Sequence, residues 1–268
     1  MHALLNVAIM AAQRGGDTLI RNLNKLDKLK VEQKGRNDFV SEADRIAEKA
    51  VIDTIGRHYP DHAILAEESG RHGESEYLWI IDPLDGTTNY LHGFPVFAVS
   101  VGLTHKGRLE HGAVYDPMRQ ELFSASRGQG AQLNGRKIRV TGRSDLERAL
   151  LGTGFPYRDS NLSLEPYLNM LVNAIKQTAG IRRAGSAALD LCYVAAGRLD
   201  AYWETGLSTW DIAAGALIIR EAGGIITGLD GSEDFLETGH LLTGTPRIYR
   251  ELAKLFGPDI KKMFTDKA

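Results

Sequence analysis

Apolar positions near the start of the chain recur with helical spacing. Leu4, Leu5, Ala8, Ala11 and Ala12 share one face, which predicts a packed amphipathic helix over about 2–27. A second helical pattern covers 42–57, and Ser41 followed three residues later by Asp44 resembles a capping box at its start. Short apolar runs at Ala63–Ala66 and Tyr77–Ile81 predict strands. From Phe97 to Val140 the pattern becomes a β-meander. Its segments, Phe97–Leu103 and Gly112–Tyr115 among them, are separated by Lys106-Gly107 and Asp116-Pro117, and Asn134-Gly135 is a strong hairpin turn. The second half alternates between a strand at Ala149–Thr153, helices at 163–178 and 186–196, and a strand at Ala201–Glu204. It continues with a helix at 211–222, a strand at Ile225–Thr227 and a helix at 246–256. Helices flanking a long meander, followed by a mixed half, predict a layered α/β or α+β architecture. No tandem repeat or linker interrupts the pattern, and a boundary near 145 is only weakly marked.

Composition narrows the function more than the fold. The chain has 268 residues, which suits one large domain or two intimately packed halves. Its 32 Lys+Arg against 34 Asp+Glu give a net charge of −2, so charge offers no reason to expect nucleic acid. No apolar run approaches the roughly 20 residues that span a bilayer, and no membrane association is expected. The opening stretch lacks the basic region of a signal peptide, and Asn6 interrupts it. A single cysteine, Cys192, cannot form an intrachain disulfide, so a cytoplasmic location is the expectation. Cys192 lies between Leu191 and Tyr193 on an apolar helix, where a buried structural thiol is expected.

Several familiar chemistries fail on inspection. Gly130–Lys137 resembles a P-loop but lacks the Gly-Lys-Ser/Thr ending, and Asn134-Gly135 fits a hairpin better. No G-x-G-x-x-G, G-x-S-x-G or H-E-x-x-H occurs, and the eight histidines are scattered without metal-ligand spacing. These negatives remove the commonest nucleotide-binding, serine-hydrolase and zinc mechanisms.

The informative segment is Trp79-Ile-Ile-Asp82-Pro83-Leu84-Asp85-Gly86-Thr87-Thr88-Asn89. An apolar strand ends in a carboxylate, proline forces a bend, and a second carboxylate follows with glycine and two hydroxyl residues behind it. Carboxylates that close repel one another unless a cation sits between them. Mg²⁺ suits such hard oxygen ligands and retains water for a substrate phosphate. Gly86 lets backbone approach a ligand, and N–H groups after it would bind phosphate if a helix starts there. The bland alternative is a surface turn, since all of these residues form turns. Two further acidic patches weigh against it. Ala66-Glu67-Glu68 follows another short strand, and Trp210-Asp211 opens a small-residue helix.

These residues carry a resemblance. Asp82-Pro-Leu-Asp85-Gly-Thr87-Thr-Asn and Trp210-Asp211-Ile-Ala-Ala-Gly are similar to the two signature patterns of the inositol monophosphatase family. Gly185-Ser-Ala-Ala and Ala66-Glu67-Glu68-Ser match its usual blocks. The likeness covers nearly the whole chain and looks closest to the bacterial members. It implies a layered αβαβα sandwich, Mg²⁺-dependent and lithium-sensitive hydrolysis of small phosphomonoesters, and a homodimer. By position, Glu67, Asp82 and the Leu84 carbonyl would hold one metal, and Asp82, Asp85 and Asp211 a second. Gly86 and Thr87 match the phosphate-binding backbone, bordered by Leu84, Asp85 and Asp211. Gly185, Ser186, Ala187 and Glu204 match the part that meets sugar hydroxyls. Thr87 and Asp44 would stand beside the attacking water, although Asp44 also fits the capping acid of the second helix. The stretch Gly70–Tyr77 is shorter than in animal members, so a third, loop-dependent metal is not carried over. The segment Lys34–Asp38 aligns with the family only across a gap, and no role is carried onto Lys34.

Alternatives remain within and beyond this chemistry. The substrate is a small phosphorylated polyol such as myo-inositol monophosphate, or else a fructose bisphosphate, histidinol phosphate or adenosine bisphosphate. Bacterial members also act as partners of the transcription machinery. Arg182-Arg183 is the local feature for that role, its bland alternative being a dimer-interface or surface pair.

Overall fold

The computed structural model describes residues 2–23, 26, 31–35, 38–156 and 163–265, the side chains of 31–40 and 265 excepted. The chain opens with α1 (Ala3–Leu23), a small antiparallel pair β1 (Val31–Gly35) and β2 (Asp38–Ser41), and α2 (Glu42–His58). The first large sheet then forms from β3 (Ala63–Ala66), β4 (Gly70–His72) and β5 (Tyr77–Asp85). After the short α3 (Thr87–Leu91) it continues with β6 (Ala98–His105), β7 (Arg108–Asp116), β8 (Glu121–Ser126), β9 (Ala131–Leu133) and β10 (Arg136–Ile138). Its spatial order is β10-β9-β8-β7-β6-β5-β3-β4, with β3 and β5 parallel and the other neighbours antiparallel.

The second sheet is drawn from β11 (Leu150–Thr153), β12 (Gly180–Arg182) and β13 (Ala201–Glu204), with α4 (Leu164–Gln177) and α5 (Ala187–Ala195) between them. It is completed after α6 (Thr209–Glu221) by β14 (Ile225–Gly228), then α7 (Phe235–Thr238) and β15 (Leu241–Gly244), and the described chain closes with α8 (Pro246–Thr265). Its order is β12-β11-β13-β15-β14.

Packing stacks these elements in five layers. Helices α1 and α2 cover one face of the first sheet, and α5 and α6 fill the space between the sheets. Helices α4 and α8 cover the far face of the second sheet. This is the αβαβα sandwich that the family resemblance implies. Three apolar clusters fill the four interfaces: Trp79 and Phe97 lie in the first, Leu191 and Ile218 in the second, which spans both sides of the α5–α6 layer, and Trp203 and Phe256 in the third.

Small residues set how deeply α6 sits. A Cβ at Gly102 would stand 3.1 Å from Ala213 Cβ, and one at Gly112 would stand 2.9 Å from the Ala214 carbonyl oxygen. The helix backbone therefore rests directly on β6 and β7, and its first turn, carrying Asp211, is drawn toward the end of β5.

Several elements depart from the sequence reading. The strand expected to stop at Ile81 runs on to Asp85, with Asp82 opposite Ser100, Asp85 opposite Ala98 and a bulge between. Pro83 is tolerated there because a bulge leaves a residue outside the ladder and needs no N–H from it. Helix α6 begins two residues before the expected 211, at Thr209. Helix α8 passes the expected 256 and Pro258 because Ile260 and Met263 continue its buried face. No sequence pattern marks strand β15, which lies between β13 and β14. The end of the first predicted helix, at 24–25 and 27, lies outside the described residues.

Candidate active site

Asp44, Asp82, Asp85 and Asp211 each have a carboxylate oxygen held by a backbone N–H group. Asp44 is the third residue of α2. Its Oδ2 accepts from the Ser41 N–H at 2.8 Å and the Ser41 hydroxyl at 2.6 Å, while Ser41 Oγ accepts from the Ala43 N–H at 3.2 Å. Asp211 occupies the same position in α6, where its Oδ2 accepts from the Ser208 N–H at 2.7 Å. Asp82 Oδ1 accepts from the Leu84 N–H at 2.9 Å across the bulge. Asp85 Oδ2 accepts from the Ser186 hydroxyl at 2.6 Å and the Ala188 N–H at 2.7 Å, which ties β5 to the first turn of α5. Two capping boxes, a helix N-terminus and the β5 bulge thus fix the acids, and each helix cap is worth about 1 kcal/mol.

The result is a convergence of charge. Asp82, Asp85 and Asp211 are all buried, and one oxygen from each lies within 4.8 Å of the others. Burial, then the charges of Glu67, Asp85 and Asp211, pushes the Asp82 carboxyl well above the usual carboxylate range. Burial and the Asp211 charge push Asp85 up to about 7. Three hard oxygen donors under mutual repulsion fit a divalent cation such as Mg²⁺, which relieves both the burial and the repulsion. Glu67 borders the same cavity from the end of β3 and feels Asp82, but it lies outside that tight triple. Its neighbour Glu68 is anchored by donating its N–H to Glu48 Oε2 at 2.8 Å.

Beside the triple, Thr87 begins α3, where Gly86 takes a left-handed conformation with φ +100°. A Cβ on Gly86 would meet the carbonyl oxygens of Val96 and Gly185 at 3.0 and 3.1 Å, so only glycine fits this approach. The Thr87 hydroxyl lies 3.1 Å from both Asp44 Oδ1 and the Leu84 carbonyl oxygen. Its single proton serves one of them at a time, leaving lone pairs open to accept. Burial raises the Asp44 carboxyl, against the lowering effect of the Ser41 and Thr87 hydrogen bonds.

Glu67, Asp82, Leu84, Asp85, Gly86, Thr87 and Asp211 line one cavity of about 490 Å³, together with Gly185, Ser186, Ala187 and Glu204. Asp44 reaches it through Thr87. Glu204, at the end of β13, accepts a short hydrogen bond from the Tyr202 hydroxyl. Burial raises its carboxyl to about 7, opposed by Tyr202 and Arg183. Its carboxylate occupies the space above Gly154, where any Cβ would overlap it at 1.8 Å.

The sequence carries no role for Asn89, Asp190 or Thr205, and it reads Arg183 only as part of a partner-binding or surface pair, yet all four shape this cavity. Asn89 lies inside the quoted motif, and its side-chain amide donates to the carbonyls of Val96 at 2.8 Å and Ala184 at 2.9 Å, tying α3 to the loop before α5. Arg183 is exposed but lines the cavity, with its guanidinium 5.7 Å from the Phe155 ring centre, whereas Arg182 sits on the exposed end of β12. Asp190 and Thr205 also line it. No short-range pattern marks these residues, because the chain crossings that gather them are distant in sequence. The side chains of the segment 34–38 lie outside the described residues.

Comparison with known proteins places this geometry in a family. Residues 1–260 match the model of the inositol monophosphatase family. The chain is 52% identical over 265 residues to the Nus factor SuhB of Pseudomonas aeruginosa, covering 97% of this chain and 98% of that one. The crystal structure of the extragenic suppressor protein SuhB of Bartonella henselae superposes with a TM-score of 0.92 at 42% identity, covering 95% of this chain and 98% of that one. An inositol monophosphatase from Anabaena superposes with a TM-score of 0.84 at 41% identity, covering 95% of each chain.

Proposed function

This chain belongs to the inositol monophosphatase family, and on that premise we propose that it is a Mg²⁺-dependent phosphomonoesterase acting on myo-inositol monophosphate. The observation that carries this reading is the convergence of Asp82, Asp85 and Asp211 within 4.8 Å, beside the Thr87–Asp44 hydrogen bond. Asp82, Asp85 and Asp211 would hold one ion, and Glu67, Asp82 and the Leu84 carbonyl another. Mg²⁺ bound there supplies a lowered pKa for water and positive charge against the phosphoryl and leaving oxygens.

The chain's own groups do the orienting. Thr87 Oγ accepts a hydrogen bond from the attacking water while its proton is directed to Asp44, which fixes the direction of the water lone pair. The N–H groups that open at Gly86 and Thr87 face the phosphate. Ser186 and the Ala188 N–H hold Asp85 in one orientation, so that it does not reorganise during the reaction. Glu204 meets hydroxyls of the alcohol half, with Gly185 and Ala187 forming the adjoining wall.

Phosphate release from inositol 1-phosphate that requires Mg²⁺, stops with chelator and falls with lithium tests this reading. Release without Mg²⁺ rejects it. Fructose bisphosphate, histidinol phosphate and adenosine bisphosphate belong in the same kinetic panel.

A homodimer is supported by α4, where Leu164, Leu168, Val172 and Ile175 form an exposed apolar stripe at helical spacing. A sedimentation shift from dimer to monomer in Ile175→Glu checks it. The Nus-factor name of the Pseudomonas aeruginosa relative supports a further role with the transcription machinery, in which catalysis is secondary. Capture of transcription proteins by both the natural chain and Asp85→Asn would separate that role from catalysis. No helix among the described residues is long and apolar enough to cross a membrane. A cytoplasmic location fits a chain whose one cysteine, Cys192, is buried and free.

A further inference from the structure

The cavity contains two buried polar atoms that no protein group satisfies. Asp190 Oδ1 on α5 and Thr205 Oγ1 just after β13 have no hydrogen-bond partner, although Asp190 is only 2% exposed and Thr205 5%. Buried polar groups in folded proteins are ordinarily paired, so each exception asks for a reason. The other such atoms among the described residues, Tyr193 Oη, Trp203 Nε1 and Trp210 Nε1, belong to side chains that do not line the cavity. Asp190 and Thr205 do line it, and they flank Glu204: Thr205 is the next residue, and the Glu204 charge acts on Asp190. Glu204 already has one oxygen committed to the Tyr202 hydroxyl. The part of the cavity around Glu204 therefore offers more hydrogen-bonding capacity than the protein itself uses.

Resting on the phosphatase reading, we infer that Asp190, assisted by Thr205, is a specificity-determining residue that takes hydroxyl groups of the alcohol half beyond the one met by Glu204. The preferred substrates are then phosphomonoesters whose alcohol carries several free hydroxyls. A hydroxylated ring supplies the missing donors. A bare ring of the same size leaves both buried atoms unpaired, and a site built to hydrogen-bond a substrate rejects analogues lacking those groups far more strongly than a hydrophobic site would.

The test compares the natural protein with Asp190→Leu, which keeps the shape and removes the acceptor, Asp190→Asn, which keeps one acceptor oxygen, and Thr205→Val. Activity is measured on inositol 1-phosphate and on cyclohexyl phosphate, which has the ring without the hydroxyls. Binding of free myo-inositol is followed by NMR, and the Tm of the ligand-free protein is recorded. Asp190→Leu is expected to lower kcat/KM on inositol 1-phosphate at least tenfold more than on cyclohexyl phosphate, mainly through KM. Asp190→Asn should restore part of the difference, Thr205→Val should act in the same direction as Asp190→Leu, and Tm should hold or rise. Equal losses on the two substrates, or a Tm drop that Asp190→Asn reverses, assign Asp190 to the fold and overturn the inference. If the natural protein hydrolyses neither phosphate, it is the phosphatase reading that fails. Inositol binding then decides, and binding unchanged by Asp190→Leu overturns the inference independently.

Discussion

The Thr87 hydroxyl oxygen stands 3.1 Å from Asp44 Oδ1 although 43 positions separate the two residues. Asp44 spends its other oxygen on the backbone and hydroxyl of Ser41, at 2.8 and 2.6 Å. One carboxylate thus caps a helix with one oxygen and orients a hydroxyl with the other. Capping α2 therefore leaves Asp44 Oδ1 free for the Thr87 hydroxyl, so the helical role does not compete with the proposed catalytic one.

That pair should separate chemistry from binding. Thr87→Ala is expected to lower kcat by about 10²-fold or more, the range for a positioned acid–base group. KM should change less, and Thr87→Ser should recover much of the rate. Asp44→Ala should lose both rate and about 1 kcal/mol of stability, since it removes a capping contact as well. Steady-state kinetics with thermal melts check both, and a Ser variant as slow as Ala would indicate packing of the methyl group.

The acidic triple should behave as one metal-binding unit. Asp85→Asn is expected to abolish Mg²⁺ binding and turnover while the metal-free protein melts no lower than the natural one, because like-charge repulsion is relieved. Asp82→Asn and Asp211→Asn should follow. Calorimetric Mg²⁺ titration reads the affinity, and near-normal binding by Asp85→Asn would remove it from the ligand set.

Selectivity should depend on the Glu204 carboxylate and on the empty space that admits it. Glu204→Gln should penalise inositol 1-phosphate more than glycerol 2-phosphate in kcat/KM. Gly154→Ala should give the same pattern, since its Cβ would overlap the Glu204 carboxylate at 1.8 Å and drive it aside. Equal losses on both substrates in either variant would return Glu204 to a structural role.

A pH effect is expected away from the site. His111 on β7 is 6% exposed, with Nδ1 2.8 Å from Ser126 Oγ and its ring centre 4.5 Å from that of His2. Burial, then the His2 charge, lowers its pKa to about 4 from 6.5. The folded state therefore binds fewer protons than the unfolded state between these values. Stability supplied by neutral His111 is lost as pH falls through that window, by about 1–2 kcal/mol after solvent screening. His111→Gln should flatten this part of the difference between melts at pH 7 and pH 4.5, and an unchanged slope would contradict it.

How far the sequence reached depended on the range of each signal. Helix periodicity, the Ser41–Asp44 box and the turns at Lys106-Gly107 and Asn134-Gly135 are local, and they suffice to place α1, α2 and the meander. The positive φ of Lys106, Gly107, Asn134 and Gly135 is what those turn residues supply. The motif spacing around Asp82 and Asp211 carried the family and the acids. Tertiary structure decided the rest. The strand through Pro83 persists because β6 supplies partners across a bulge, and β15, a four-residue run, becomes a strand only between β13 and β14. Arg183 joins the cavity, and Asp190 and Thr205 lie buried beside Glu204 without partners, through chain crossings that no local pattern records. Local dihedral and amphipathic preferences are written into neighbouring residues. Which buried polar atom finds a partner depends on the packing of segments a hundred residues apart, and that exists only once the layers have closed.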